Sequence, residues 1–70
     1  MLTTDQLLEF TERVIAEDQL AGNRAGLKNT QVAAGFLMAA ANYAGDKETA
    51  RRFRLLAAKA ANFNEALSKG

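Results

Sequence analysis

One stretch limits the arrangements open to this chain: Gln31-Val-Ala-Ala-Gly-Phe-Leu-Met-Ala-Ala-Ala-Asn-Tyr-Ala44. It is the most apolar run, and no charged residue falls between Lys28 and Asp46. On a helix turning about 100° per residue, its large side chains point three ways. Val32, Phe36 and Tyr43 share one side, Leu37, Ala41 and Ala44 a second, and Ala34 and Met38 a third. Gln31, Gly35 and Asn42 form a narrow polar strip, into which Arg24 and Lys28 fall when the helix is extended backward. A helix apolar around most of its circumference has to be covered from several sides. One pair of flanking helices cannot do this alone. The sequence therefore predicts an all-α fold, a three-helix up-down-up bundle over residues 1–70 as a single helical domain, completed by homo-oligomerisation. Small residues at Ala34, Ala41 and Ala44 permit close helix approach.

Size strengthens the expectation of self-association. A chain of 70 residues buries only ~60% of its unfolded surface and is marginally stable without some staple. Cysteine and histidine are both absent, which excludes disulfides and the usual zinc sites. Proline is absent too, and the alanine-rich remainder favours helix. Val32–Ala41 is ten residues, against the ~20 that span a bilayer. The opening Met-Leu-Thr-Thr-Asp-Gln lacks the basic start and long apolar core of a signal peptide. No membrane partner is expected, and a cytoplasmic location fits the cysteine-free composition.

Helices are predicted at 4–20, 24–44 and 47–67. Thr3 and Gln6 fit a capping box, with Leu2 and Leu7 placed as a hydrophobic staple. Leu7, Phe10, Thr11, Val14, Ile15 and Ala21 form the first apolar stripe, with Asp18 in its midst, expected to meet solvent or a lysine at the end of the bundle. Ala21-Gly22-Asn23-Arg24 and Ala44-Gly45-Asp46-Lys47 match at an offset of 23 residues. Each supplies a glycine stop followed by a capping residue. Asn29-Thr30 offers a second start for the middle helix, but Arg24 and Lys28 continue its polar strip and favour 24. Phe53, Leu56, Ala57, Ala60, Phe63 and Leu67 form the third stripe, with Leu55 on the outer face.

Leu37 to Ala57, through Gly45-Asp46 and the seven-residue spacing of Ala50 and Ala57, resembles one helical hairpin of the tetratricopeptide type. The resemblance covers a single repeat, lacks that family's aromatic and proline positions, and implies a shared hairpin with no function attached. A helix-turn-helix frame fails, because it sets Asp46 and Arg51 where that motif buries apolar residues.

Charge is polarised. Residues 1–18 carry five acids against Arg13, and residues 19–70 carry eight cations against Asp46, Glu48 and Glu65. Lys47, Arg51, Arg52 and Arg54 crowd the start of the third helix, an end that favours anions. In an up-down-up bundle Asp5, Glu9 and Glu12 lie level with Arg51 and Arg54, and Glu17 and Asp18 with Arg24 and Lys28. Pairing of these acids and bases, within one chain or across a dimer, is the first expectation; an external anion, nucleic acid or nucleotide, is the alternative. The aromatics lie on apolar faces, so no base-stacking platform forms.

Catalysis lacks its usual residues, with no histidine or cysteine and a lone serine, Ser68. No glycine-rich phosphate loop occurs and no cofactor is implied. The expected function is a small non-enzymatic module that binds a protein, as a regulator or inhibitor, with Met38 and Leu55 as its apolar contacts. The alternatives are an anion binder built on Lys47, Arg51, Arg52 and Arg54, and a structural subunit of a larger assembly.

Overall fold

The computed structural model describes residues 1–69 and contains three helices, α1 (Thr4–Ala21), α2 (Arg24–Tyr43) and α3 (Lys47–Lys69). α1 opens on the capping box: the Gln6 amide donates to the Thr3 hydroxyl at 3.1 Å, and the Thr3 amide donates to Gln6 Oε1 at 3.0 Å. The two junctions are built alike. Gly22 (φ 66°) and Gly45 (φ 79°) are left-handed, which glycine adopts without steric cost. The next amide reaches back to a carbonyl five residues earlier, Asn23 to Asp18 at 2.8 Å and Asp46 to Ala41 at 2.9 Å. That same residue then caps the following helix, Asn23 accepting from the Gly26 amide at 2.9 Å and Asp46 from the Thr49 amide at 3.1 Å. One residue thus closes one helix and opens the next, which keeps both connections short. α2 begins at Arg24 rather than at the second possible cap. α3 continues through Ser68, whose hydroxyl donates to the Glu65 carbonyl at 2.7 Å.

The core has two layers. Leu8, Ala34 and Phe53 make one; Ile15, Leu27 and Ala60 make the other, and Leu56 packs against both. Residue numbers rise through the layers in α1 and α3 and fall in α2, so α1 and α3 run one way and α2 the other. α2 and α3 share the most extensive contact. Alanines at their interface (Ala34, Ala41, Ala50 and Ala60, all buried) let the two backbones approach closely. Arg24 Nε donates to Asn64 Oδ1 at 3.0 Å, tying the start of α2 to the end of α3.

α1 is rotated from its predicted setting. Leu8, Thr11 and Ile15 are buried, while Leu7 and Val14 are half-buried and Phe10 lies open. The helix carries two adjacent apolar stripes, and the one shared with α3, through Leu8, enters the core. Thr11 is accommodated there because its hydroxyl donates to the Leu7 carbonyl at 2.7 Å. Among the described residues, no helix is long and apolar enough to cross a membrane.

Candidate interaction interface

The sequence-derived contacts do not form one patch. Met38 is half-buried and lines a groove between α2 and α3 with Asn42, Lys47, Arg51 and Arg54. Leu55 and Arg52 line a different groove, between α1 and α3, with Asp5, Glu9, Glu12 and Lys59. Met38 therefore gathers three of the four cations, and Leu55 sits away from it.

The basic cluster is largely answered from within the chain. Arg51 donates to Glu48 at 2.7 and 3.4 Å. This pair holds the Glu48 carboxyl below its ordinary range, chiefly through the hydrogen bond, and raises Arg51 by the same cause. Arg52 lies 3.7 Å from Glu48 and 3.9 Å from Asp5, and Lys47 donates to Asn42 at 3.5 Å. Among the described residues, Arg54 has no carboxylate within 4.0 Å. Within the chain, the expected facing of α1 acids with Arg51 and Arg54 is corrected. The cations on the α1 side are Arg52 and Lys59, because Arg51 and Arg54 lie on the flank of α3 that borders α2. The other expected pairing also fails. Asp18 accepts from Asn23 Nδ2 at 3.3 Å, Arg24 turns to Asn64, and Glu17 lies 3.6 Å from Arg13. The start of α2 needs a cap nearby, and Asn23, five residues on from Asp18, reaches that carboxylate first.

The feature the sequence under-weighted is a face. Val32 (62% exposed), Phe36 (74%) and Tyr43 (95%) lie open on the side of α2 away from the bundle. Ala25, Asn29, Ala39 and Ala40 lie exposed among them. None of these seven residues is an Asp, Glu, Lys or Arg. It continues past Ala33 into a groove between α1 and α2 of about 280 Å³, lined by Leu7, Phe10, Thr11, Val14, Asn29, Thr30, Ala33 and Leu37 without one charge. The α1/α3 groove, by contrast, carries five charged side chains. Solvated faces normally carry charge, and a contiguous apolar surface rimmed by polar groups marks contact with another molecule. α1 and α3 cover only the core side of α2; the third direction, that of Val32, Phe36 and Tyr43, stays uncovered. The signal was present in the spacing of those three residues, but three candidate faces competed for two neighbours.

Among the described residues, no three carboxylates converge to hold a metal ion. Comparison with protein-family models, curated proteins and solved structures finds no match for this chain.

Proposed function

We propose that this chain is a small non-enzymatic interaction module, a regulator or assembly subunit that works by docking another polypeptide on the outer face of α2. The observation that carries this reading is the exposure of Phe36 and Tyr43 on a face without acids or bases. Aromatic side chains anchor interfaces because they offer large apolar area with few rotatable bonds. Homo-oligomerisation is one way of covering the face. The absence of histidine and cysteine, and carboxylates set opposite cations in an open groove, favour binding over chemistry.

The test is photo-crosslinking in host cells with a benzophenone side chain at Ala40, on the face, and at Ala58, on the exposed side of α3. Polypeptide adducts from position 40, absent from 58 and lost with Phe36→Asp, support the reading. Equal adducts from both positions, or none from 40, overturn it.

A second reading has one observation in its favour: Arg54, without a carboxylate partner, shares a groove with Lys47, Arg51 and Met38. Such a groove suits an anion, nucleotide or nucleic acid. Binding there should weaken steeply with salt, and should vanish in Arg51→Ala with Arg54→Ala. A flat salt response removes it.

A further inference from the structure

α2 repeats every seven residues on two opposite sides. Leu27, Ala34 and Ala41 point into the bundle and are buried. On the other side Ala25, Asn29, Val32, Phe36, Ala39 and Tyr43 follow at steps of 4, 3, 4, 3 and 4 residues, and all six are exposed. That alternation is the seam spacing of a coiled coil, whose side chains interlock with those of a helix laid alongside. Resting on the reading of the chain as an interaction module, we infer that the occupant of this seam is the α2 seam of a second copy, running antiparallel about a two-fold axis near Gly35.

Charge is the first argument. A two-fold contact sets a patch against itself, so a charged patch repels its own copy. Here the six seam positions carry no acid or base, and the nearest cation, Lys28, lies at the edge. In antiparallel register Lys28 approaches Asn42 of the other copy rather than a second lysine.

Shape is the second. Antiparallel register sets Tyr43 opposite Ala25, Phe36 opposite Val32 and Ala39 opposite Asn29, so each ring meets a smaller side chain. A parallel pair would stack ring on ring and leave the alanine layers thin. Gly35 is the third argument. A Cβ added there meets nothing within 4 Å in the chain, so the monomer gives no reason for a helix-weakening residue at that point. Beside a two-fold axis it lets the two backbones close.

Area is the fourth. Phe10, Phe36 and Tyr43 expose 64, 74 and 95% of their surface. At about 150–250 Å² per aromatic, they offer roughly half of the ~800 Å² that each partner contributes to a stable interface. Val32 and the alanines add to this.

The experiment is sedimentation equilibrium on the full chain, with oxidative crosslinking of single-cysteine variants. The native chain should sediment at twice its 7.5 kDa. Phe36→Asp should sediment as one chain with its helical circular dichroism kept, because Phe36 lies outside the core, and Leu55→Asp should remain paired. The chain has no cysteine of its own. Ala33→Cys, beside the axis, should link to its copy. Ala25→Cys should not, since its two copies lie about 27 Å apart along the helices. A paired Phe36→Asp overturns the inference, as does Ala25→Cys linking in preference to Ala33→Cys. A native chain that stays single overturns it too, and the Ala40 adducts then decide the wider reading. Adducts to a different polypeptide leave the interaction module standing with another partner; no adducts remove both.

Discussion

The Asp18 carboxyl lies against Gly26 so closely that a Cβ added at position 26 would sit 2.7 Å from its carboxyl carbon and 2.8 Å from Asn23 Nδ2. The end of α1 and the first turn of α2 meet at that point, with Asn23 held by both. Glycine inside a helix ordinarily costs about 1 kcal/mol relative to alanine, but a Cβ here would have to push aside the Asp18 carboxylate and the Asn23 side chain that caps α2. Gly26→Ala should therefore lower the urea midpoint, and lower it less in an Asp18→Ala background, where only the Asn23 contact remains. Equal effects in the two backgrounds would show that the close approach carries no energy.

Gly35 predicts the opposite behaviour. With open space beside it, Gly35→Ala should stabilise the isolated bundle by about 1 kcal/mol. It should also weaken self-association, by filling the space two backbones need. Denaturation at low concentration and sedimentation at high concentration read these effects separately.

The core layer of Ile15, Leu27 and Ala60 holds the largest fully buried side chains, Ile15 and Leu27. Leu27→Ala should cost about 2–5 kcal/mol, enough to unfold much of a domain this small. Ala34→Leu should cost about 1–3 kcal/mol by forcing α2 from its neighbours. Phe36→Ala, on the open face, should leave the midpoint of the monomer nearly unchanged. Denaturant titration of the three variants checks the order.

Asp46 gives the fold an acid edge. Its carboxylate accepts from the Thr49 hydroxyl at 2.7 Å and the Thr49 amide at 3.1 Å. The hydroxyl chiefly, and then the amide, hold it below its ordinary value of 3.8. A carboxyl group lowered on folding stabilises the fold above its unfolded value, and that contribution is lost as pH falls through the folded one. Glu48 acts in the same sense. Arg51, raised above its ordinary value chiefly by its hydrogen bond to Glu48, contributes uniformly at lower pH. The melting temperature should fall below the ordinary carboxylate range, and less so in Asp46→Asn, which keeps the cap without the titration. An unchanged acid profile in that variant would exclude Asp46 as a source.

Local chemistry was legible in the sequence wherever one residue decides it. Thr3 with Gln6, the Gly22-Asn23 and Gly45-Asp46 junctions, and the start of α2 at Arg24 all follow from capping and left-handed glycine. Rotation about a helix axis was harder to read. On α1, Leu7 and Leu8 belong to neighbouring stripes, and only the arrangement of α2 and α3 selects Leu8. On α2, three apolar faces competed, and the side left open could not be chosen before its neighbours were placed. The sequence offers Met38 and Leu55 as apolar contacts without placing one relative to the other. Packing set Met38 beside the α3 cations and Leu55 toward α1.

Tyr43 offers the most direct reading of whether the outer face of α2 is covered. It is the only tyrosine, and the chain has no tryptophan, so intrinsic emission reports one position on the seam. Acrylamide quenching across a dilution series should show Tyr43 shielded when concentrated and freely quenched when dilute, with Phe36→Asp freely quenched throughout. A native chain whose Tyr43 is quenched as readily as free tyrosine at every concentration would contradict the account.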